Sequence, residues 1–244
     1  MSPKKTFATA LRVLRQLHHD PRTIGLIMIV PSLLLIILRY VFNDNIWTFD
    51  KFAPLMLGIF PFTVMFLVTS IAMLRERTEG TLERLMTLPM GKLDLLFGYA
   101  IAFAVLALAA SGIASMVVLG FLGVTVPGGT LPILLTALLA GLLGMSLGLF
   151  LSAFARTEFQ AVQFLPATIF PQFLIGGLFV PRDQMAVLLQ WLADIMPLTY
   201  IIEAMKEITT SPGWSHELIK DFIVACCFVI GALILGAVTL RRQE

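Results

Sequence analysis

Three histidines, two cysteines and fifteen carboxylates are the groups in this 244-residue chain from which hydrolytic, redox or metal chemistry could be built. Their spacing does not build it. His18 and His19 stand beside Asp20 and could hold a metal, but they read as a surface pair, and no metal site is expected. Cys226 and Cys227 are neighbours inside an apolar run, so they are packing residues rather than a disulfide framework. Gly91-Lys92 is followed by Leu93, and Met86 stands where a phosphate-binding loop needs its first glycine. There is no two-histidine zinc-protease helix, no membrane-buried aspartate pair and no Ser/His pair. Asp94 and Glu158 fall near the ends of apolar runs, and Glu203 and Glu207 stand four apart with Lys206 between them; all read as solvated charges. The expectation is a chain with no catalytic residue and no cofactor of its own.

What the spacing does build is a charged island. Arg75-Glu76-Arg77-Thr78-Glu79-Gly80-Thr81-Leu82-Glu83-Arg84-Leu85-Met86-Thr87-Leu88-Pro89 lies between two long apolar runs. With Lys92 it carries seven of the chain's 32 acidic and basic residues. Gly80 is expected to break the preceding helix, and Thr81 to cap a new one by accepting a free backbone N–H. Glu83 then falls in the first turn, where a carboxylate suits the positive helix end. Pro89 disfavours helix at Leu88, which limits the new helix to about two turns. Leu82, Leu85 and Met86 share one face. A helix this short is marginal in water and is ordered only by packing on something. The residues alone leave two readings open: a solvated loop between membrane helices, or a docking helix for a partner.

The elements that must hold the island are apolar throughout. The chain is 58% hydrophobic and 13% charged, with a mean hydropathy of +0.93, whereas soluble domains carry roughly 25% charged residues. An all-α integral membrane protein forming one domain over residues 1–244 follows, with six spans at about residues 23–42, 52–74, 93–122, 131–155, 159–180 and 218–240. Before them, Phe7, Ala10, Leu11, Leu14 and Leu17 form a stripe, and Lys4, Lys5, Arg12 and Arg15 lie mostly away from it. That pattern predicts a helix over residues 1–20 lying in the membrane interface. A cleavable signal peptide is not expected, because the following apolar run is too long. Asp20-Pro21 reads as an N-cap and a first-turn proline. Trp47 and Phe49 read as interface anchors in a loop before the second span. Gly144, Gly148 and Ser152 form a small-residue ridge, used most often within one chain. Pro166, Pro171, Gly176-Gly177 and Pro181 predict a broken fifth helix, which survives at membrane depth only when shielded or lining a cavity. Residues 181–217 read as short interface helices separated at Pro197.

Lysine and arginine set the orientation. Twelve fall in the N-terminal segment, the island, Arg156 and the Arg241-Arg242 end; four (Lys51, Arg182, Lys206, Lys220) fall in the opposite set. The positive-inside rule makes the first set cytoplasmic. Both termini and the 75–92 region are then inside, and residues 181–217 outside.

Taken together, residues 75–85, Gly177-Leu178-Phe179-Val180-Pro181, Trp191 and Met196-Pro197-Leu198-Thr199-Tyr200 carry a resemblance. The chain resembles the ABC-2 type exporter permeases (type V exporter fold), in the group that includes the daunorubicin-resistance permeases, over essentially its whole length. It departs from that pattern at Gly176, at Leu189-Gln190 and at Lys206, where the family often has serine, a proline shortly before the tryptophan, and arginine.

The resemblance implies roles. The island would be a coupling helix inserted into a separate ATPase subunit, through Arg77, Glu79, Gly80, Thr81, Leu82, Glu83, Arg84 and Leu85. The N-terminal helix would be a connecting helix. Pro171, Gly176, Gly177, Pro181 and Pro197 would shape a re-entrant external gate. Two ATPase subunits, which bind ATP and Mg, would assemble with this chain and a second or homologous permease. The complex would sit in the cytoplasmic membrane, of a bacterium, among membrane lipids. It would export a small amphipathic drug, antibiotic or lipid-like substrate, and no nucleic-acid partner is expected. Two competitors are an importer's transmembrane component and a membrane-embedded enzyme. The first usually carries two long coupling helices, where this chain has one short island; the second lacks a buried catalytic constellation here.

Overall fold

Asp20 does what its place before a proline predicts. Its carboxylate accepts the Thr23 N–H at 3.2 Å and the Thr23 hydroxyl at 2.6 Å, so the chain turns there from one helix into the next. The computed structural model describes residues 2–81, 84–85 and 91–239, with the side chains of Lys92 and Leu93 left aside. Leu82 and Glu83 of the expected coupling set, the Leu88–Pro89 stop and the Arg241-Arg242 end therefore lie outside the described residues.

Among the described residues the regular structure is helical throughout. Helix α1 spans Pro3–His18, α2 Pro21–Val41 and α3 Ile46–Thr78. Helix α4 spans Lys92–Ser115 and continues as a π-helical turn, Met116–Phe121. Helix α5 spans Thr130–Leu151 and tightens into a 3₁₀ turn, Ser152–Phe154. Helix α6 spans Glu158–Ile175, α7 Val187–Ile195, α8 Pro197–Thr210 and α9 His216–Thr239. Among the described residues, five segments are long and apolar enough to cross a membrane: α2, α3, Asp94–Phe121, Thr130–Phe154 and α9. Helices α7 and α8, bent by 96° across Met196, meet that test only as a pair, which makes six.

Two expectations are corrected. The second span begins not near residue 52 but at Ile46, because the Asn45 side chain caps the helix by accepting the Thr48 N–H at 3.2 Å. Trp47 and Phe49 are therefore helical. The same helix runs on to Thr78, so the first third of the island is a continuation of α3. The fifth apolar run is not broken at its prolines. Helix α6 passes through Pro166 and Pro171 and stops only at Gly176-Gly177. The Gln172 Nε2 donates to the Thr168 carbonyl at 2.9 Å within the same helix. Helix α6 is not one of the five spans: Glu158, three glutamines and two prolines dilute its apolar character.

Helix α1 packs on the bundle through one face. Phe7 and Leu11 are exposed, and the buried face is Thr6, Thr9, Ala10, Val13 and Leu17. Small residues take that face because α4 comes very close. A Cβ on Gly98 would lie 2.5 Å from the Thr9 Cβ, which no ordinary contact allows.

Helices α3 and α5 form the most buried part of the bundle; α2 and α9 are the least buried spans. The Gly144–Gly148 ridge is used inside the chain, as expected. A Cβ at Gly144 would collide with the Phe62 carbonyl, and one at Gly148 with the Phe66 carbonyl and Thr69. At that distance hydroxyls reach across: Thr69 donates to the Met145 carbonyl at 3.3 Å and Ser70 to the Gly148 carbonyl at 3.2 Å. The core has two main clusters. One gathers Phe49, Phe62, Leu143, Leu198, Met205 and Leu218; the other gathers Val13, Met73, Leu95, Tyr99, Phe103 and Leu149. They mark the two ends of the bundle at which the functional candidates lie.

Candidate functional site

At the end holding α1, the island is anchored by charges that have found partners. Glu76 is 5% exposed, and its Oε1 takes the Arg12 guanidinium at 3.4 Å. Arg12 also donates to the Tyr99 hydroxyl and lies over its ring. Arg12 thus turns inward, against the expectation that it faces away, and joins α1, α3 and α4. One residue earlier on α3, Arg75 makes a two-pronged pair with Glu158, at 2.6 and 3.1 Å. Arg77 donates to the Ser152 carbonyl at 2.6 Å. Asp94 is not solvated: it is 4% exposed, accepts the Ser2 N–H at 2.7 Å and the Thr6 hydroxyl at 3.4 Å, and caps its own helix through the Gly91 N–H. A buried carboxylate persists where several donors replace its water. Glu158 is half exposed, and the hydrogen bond from Arg75 holds its carboxyl below the usual carboxylate range.

Gly80 sits past the end of α3 with φ +70, the left-handed conformation that ends helices. The Arg84 N–H then donates to the Gly80 carbonyl at 3.1 Å, and Thr81, Arg84 and Leu85 are helical. Gly80 therefore takes the cap position expected of Thr81, which falls one residue inside. Leu85 packs against the cluster that holds Val13, Leu95 and Tyr99. Arg77 and Glu79 belong to the end of α3 rather than to the new turn.

At the opposite end, α6 stops where Gly177 takes φ +85 and where a Cβ on Gly176 would collide with the Gln172 carbonyl. Gln172 is 1% exposed, and its Oε1 accepts the Leu198 N–H at 3.0 Å, so it caps α8 from a neighbouring helix. Pro197 opens α8 and is buried; Pro171 and Pro181 are exposed. Arg182 pairs with Asp194 and, at 2.8 Å, with Glu203, while Lys206 donates to the Gly177 carbonyl. Glu203 is thus ion-paired rather than simply solvated. The Gly128 N–H donates to the Ile208 carbonyl at 2.9 Å, which ties the loop before α5 to α8. Sequence reasoning missed both Gln172 and Arg182. A polar residue in an apolar run was the available signal for the first, and nothing in the spacing marked the second.

A family comparison decides what kind of chain carries these two ends. Residues 4–209 match the family described as ABC-2 type transporter. The chain belongs to the ABC-2 type transporter family. Among its relatives is ABC transporter G family member 20 of Dictyostelium discoideum, 24% identical over 83% of this chain and 28% of that protein. Another is the inner membrane transport permease YhhJ of Escherichia coli strain K12, 26% identical over 84% and 55%. A third is the probable multidrug ABC transporter permease YbhS of the same strain, 25% identical over 70% and 45%. This ABC-2 chain thus spans between about a quarter and about half the length of these relatives. It is a multi-pass membrane protein of a family in which some of its relatives are named transport permeases.

Proposed function

We propose that this ABC-2 chain is the permease subunit of an ATP-driven exporter, with ATP and Mg bound by two separate ATPase subunits and a second permease completing the complex. The observation that carries the reading is the anchored corner. Helix α3 leaves the bundle core, ends at Gly80, and presents a short turn whose Leu85 rests on α1 and α4. A partner pressing on residues 79–85 would push on the end of a 33-residue helix. The N-terminal half of that helix touches α8, where a Cβ on Gly58 would come 2.9 Å from Ile201. Such a helix would carry a displacement from the ATPase side to the proposed gate of Pro171, Gly176, Gly177, Pro181 and Pro197. The partner must bind the two states differently for its closure to shift them. In this reading both termini and the island face the cytoplasm, in the cytoplasmic membrane of a bacterium, and the 181–217 segment faces outward. An amphipathic drug, antibiotic or lipid-like cargo suits the apolar spans, and one relative is named a multidrug permease.

The test is purification of the full chain from its native membrane in mild detergent. A stoichiometric ATP-binding subunit should accompany it. Glu83→Arg, which reverses a charge at the proposed docking turn, should lower both the yield of that complex and its stimulated ATPase activity. An ATPase-free oligomer that persists in nanodisc extraction would make the island a simple loop.

A further inference from the structure

Two aspartates are equally buried, Asp94 and Asp221, each 4% exposed. Asp94 has its water replaced by the Ser2 N–H, the Thr6 hydroxyl and the Gly91 N–H. Asp221 has no such replacement. It stands on the second turn of α9, on the face that carries the buried Leu218 and Ala225. Among the described residues no hydrogen bond or ion pair reaches its carboxyl group. The charged groups around it are engaged elsewhere or are of the wrong sign. On its own helix Lys220 donates to Glu217 at 3.3 Å, and both are exposed. Ahead of α7, Arg182 is held by Asp194 and Glu203. From α8 come Glu203, a second carboxylate, and Tyr200, whose hydroxyl donates to the Asp194 carbonyl at 2.8 Å. Lys206 of the same helix reaches the Gly177 carbonyl instead. Helix α5 brings no ionisable side chain between Thr130 and Leu151. An ionised carboxylate in that setting has neither water nor a donor, and a group so placed takes up a proton instead.

We propose that Asp221 is a proton-binding site within α9, a neutral carboxylic acid while α9 packs on α8. On losing its proton it becomes a second negative charge beside Glu203, so the contact between the two helices depends on pH. The proton exchanges with water at the start of α9, where His216 and Glu217 are exposed. An acid in a membrane span that faces the bundle rather than lipid is the usual form of a proton site. Burial alone does not produce this state. Asp94 is as buried and keeps its charge, because three donors serve it. The inference does not rest on the transport reading, since it needs neither an ATPase nor a second permease.

The test uses the full chain in phosphatidylcholine nanodiscs, treated with dicyclohexylcarbodiimide. This apolar reagent takes the O–H of a protonated carboxyl group across one of its C=N bonds, and the adduct rearranges to a stable N-acylurea with nothing expelled. Peptide mass spectrometry should find the adduct on Asp221 at about pH 6, where an aspartate in water is already ionised. Its yield should fall about tenfold or more by about pH 9, as the site loses its proton. Asp94 and the exposed Asp183 should remain unmodified. A second measurement is thermal unfolding. The folded chain holds a proton that the unfolded chain has released, so stability falls as pH rises. Relative to Asp221→Asn, which keeps the neutral shape and cannot titrate, the wild-type unfolding temperature should drop by up to about 3–5 °C per pH unit. The labelling needs no variant and decides the matter if Asp221→Asn does not fold. An unmodified Asp221, labelling of Asp221 that does not change with pH, equal labelling of Asp94, or parallel pH profiles for the wild type and Asp221→Asn would each overturn the proposal.

Discussion

Gln172 shows how much a single side chain decides at one end of this molecule. It is buried, donates to the Thr168 carbonyl and accepts the Leu198 N–H, so it serves two helices at once. Gln172→Leu keeps the size and leaves a buried N–H on α8 without an acceptor. That should cost about 1–3 kcal/mol, measured as a fall in thermal unfolding temperature. Gln163→Leu, on the exposed face of the same helix, should change stability by less than about 0.5 kcal/mol. At the other end the Arg75–Glu158 pair sets a pH dependence. Glu158 has its carboxyl lowered from 4.5 in the folded chain, chiefly by the hydrogen bond from Arg75. Its contribution is therefore present above the unfolded value and is lost as pH falls through the lower folded one. Both partners are about half exposed, so solvent and salt screen the pair to less than about 1 kcal/mol. Glu158→Gln should flatten the acid side of the stability profile by that small amount, as should raised salt; an unchanged profile would mean that the pair contributes nothing in solution.

Between elements, contact distance decides more than apolar area. Helices α3 and α5 approach until glycine hydrogens face backbone carbonyls, and lipid offers no hydrophobic gain for pulling them together. Packing and the hydroxyl bonds of Thr69 and Ser70 hold them instead. Gly144→Val places a methyl where the Phe62 carbonyl stands. It should destabilise by about 1–3 kcal/mol or more, read as loss of the monodisperse species on size-exclusion chromatography. Gly112→Val meets nothing within 4 Å and should leave the elution profile unchanged. Equal behaviour of the two variants would show that close packing of α3 on α5 is not what holds the bundle. The same logic explains α1, where Gly98 admits Thr9 and excludes the larger Phe7 and Leu11 from the buried face.

At the scale of the whole molecule the two ends differ in kind. One is tied by charged side chains to the chain's basic segments; the other is closed by a bent helix pair, a glycine turn and the Arg182 ion pairs. The proposed orientation puts the first inside and the second outside. Ser211 lies just past α8 and is half-buried. With Cys226 and Cys227 replaced by serine, Ser211→Cys should react with a membrane-impermeant maleimide in intact cells. Labelling only after permeabilisation would invert the topology and remove residues 79–85 from the cytoplasm.

The sequence by itself determined the membrane class, the positions of most spans, the Asp20 cap, the helix break at Gly80 and the family to which the chain belongs. Each of these rests on composition or on backbone preferences that act over a few residues: apolar runs, the Asp-Pro start signal, and glycine's access to positive φ. Only the tertiary structure decided which charges are buried and which helix faces meet. Arg12, Glu76 and Tyr99 lie far apart in the chain, and so do Gln172 and Leu198. Nothing local marks Glu76 as different from Glu79 beside it. Prolines misled for the same reason. Pro166 and Pro171 remove backbone donors locally, yet α6 runs through both and ends only at Gly176-Gly177. Where a residue's energy comes from partners distant in sequence, its own neighbours in the chain carry no record of it.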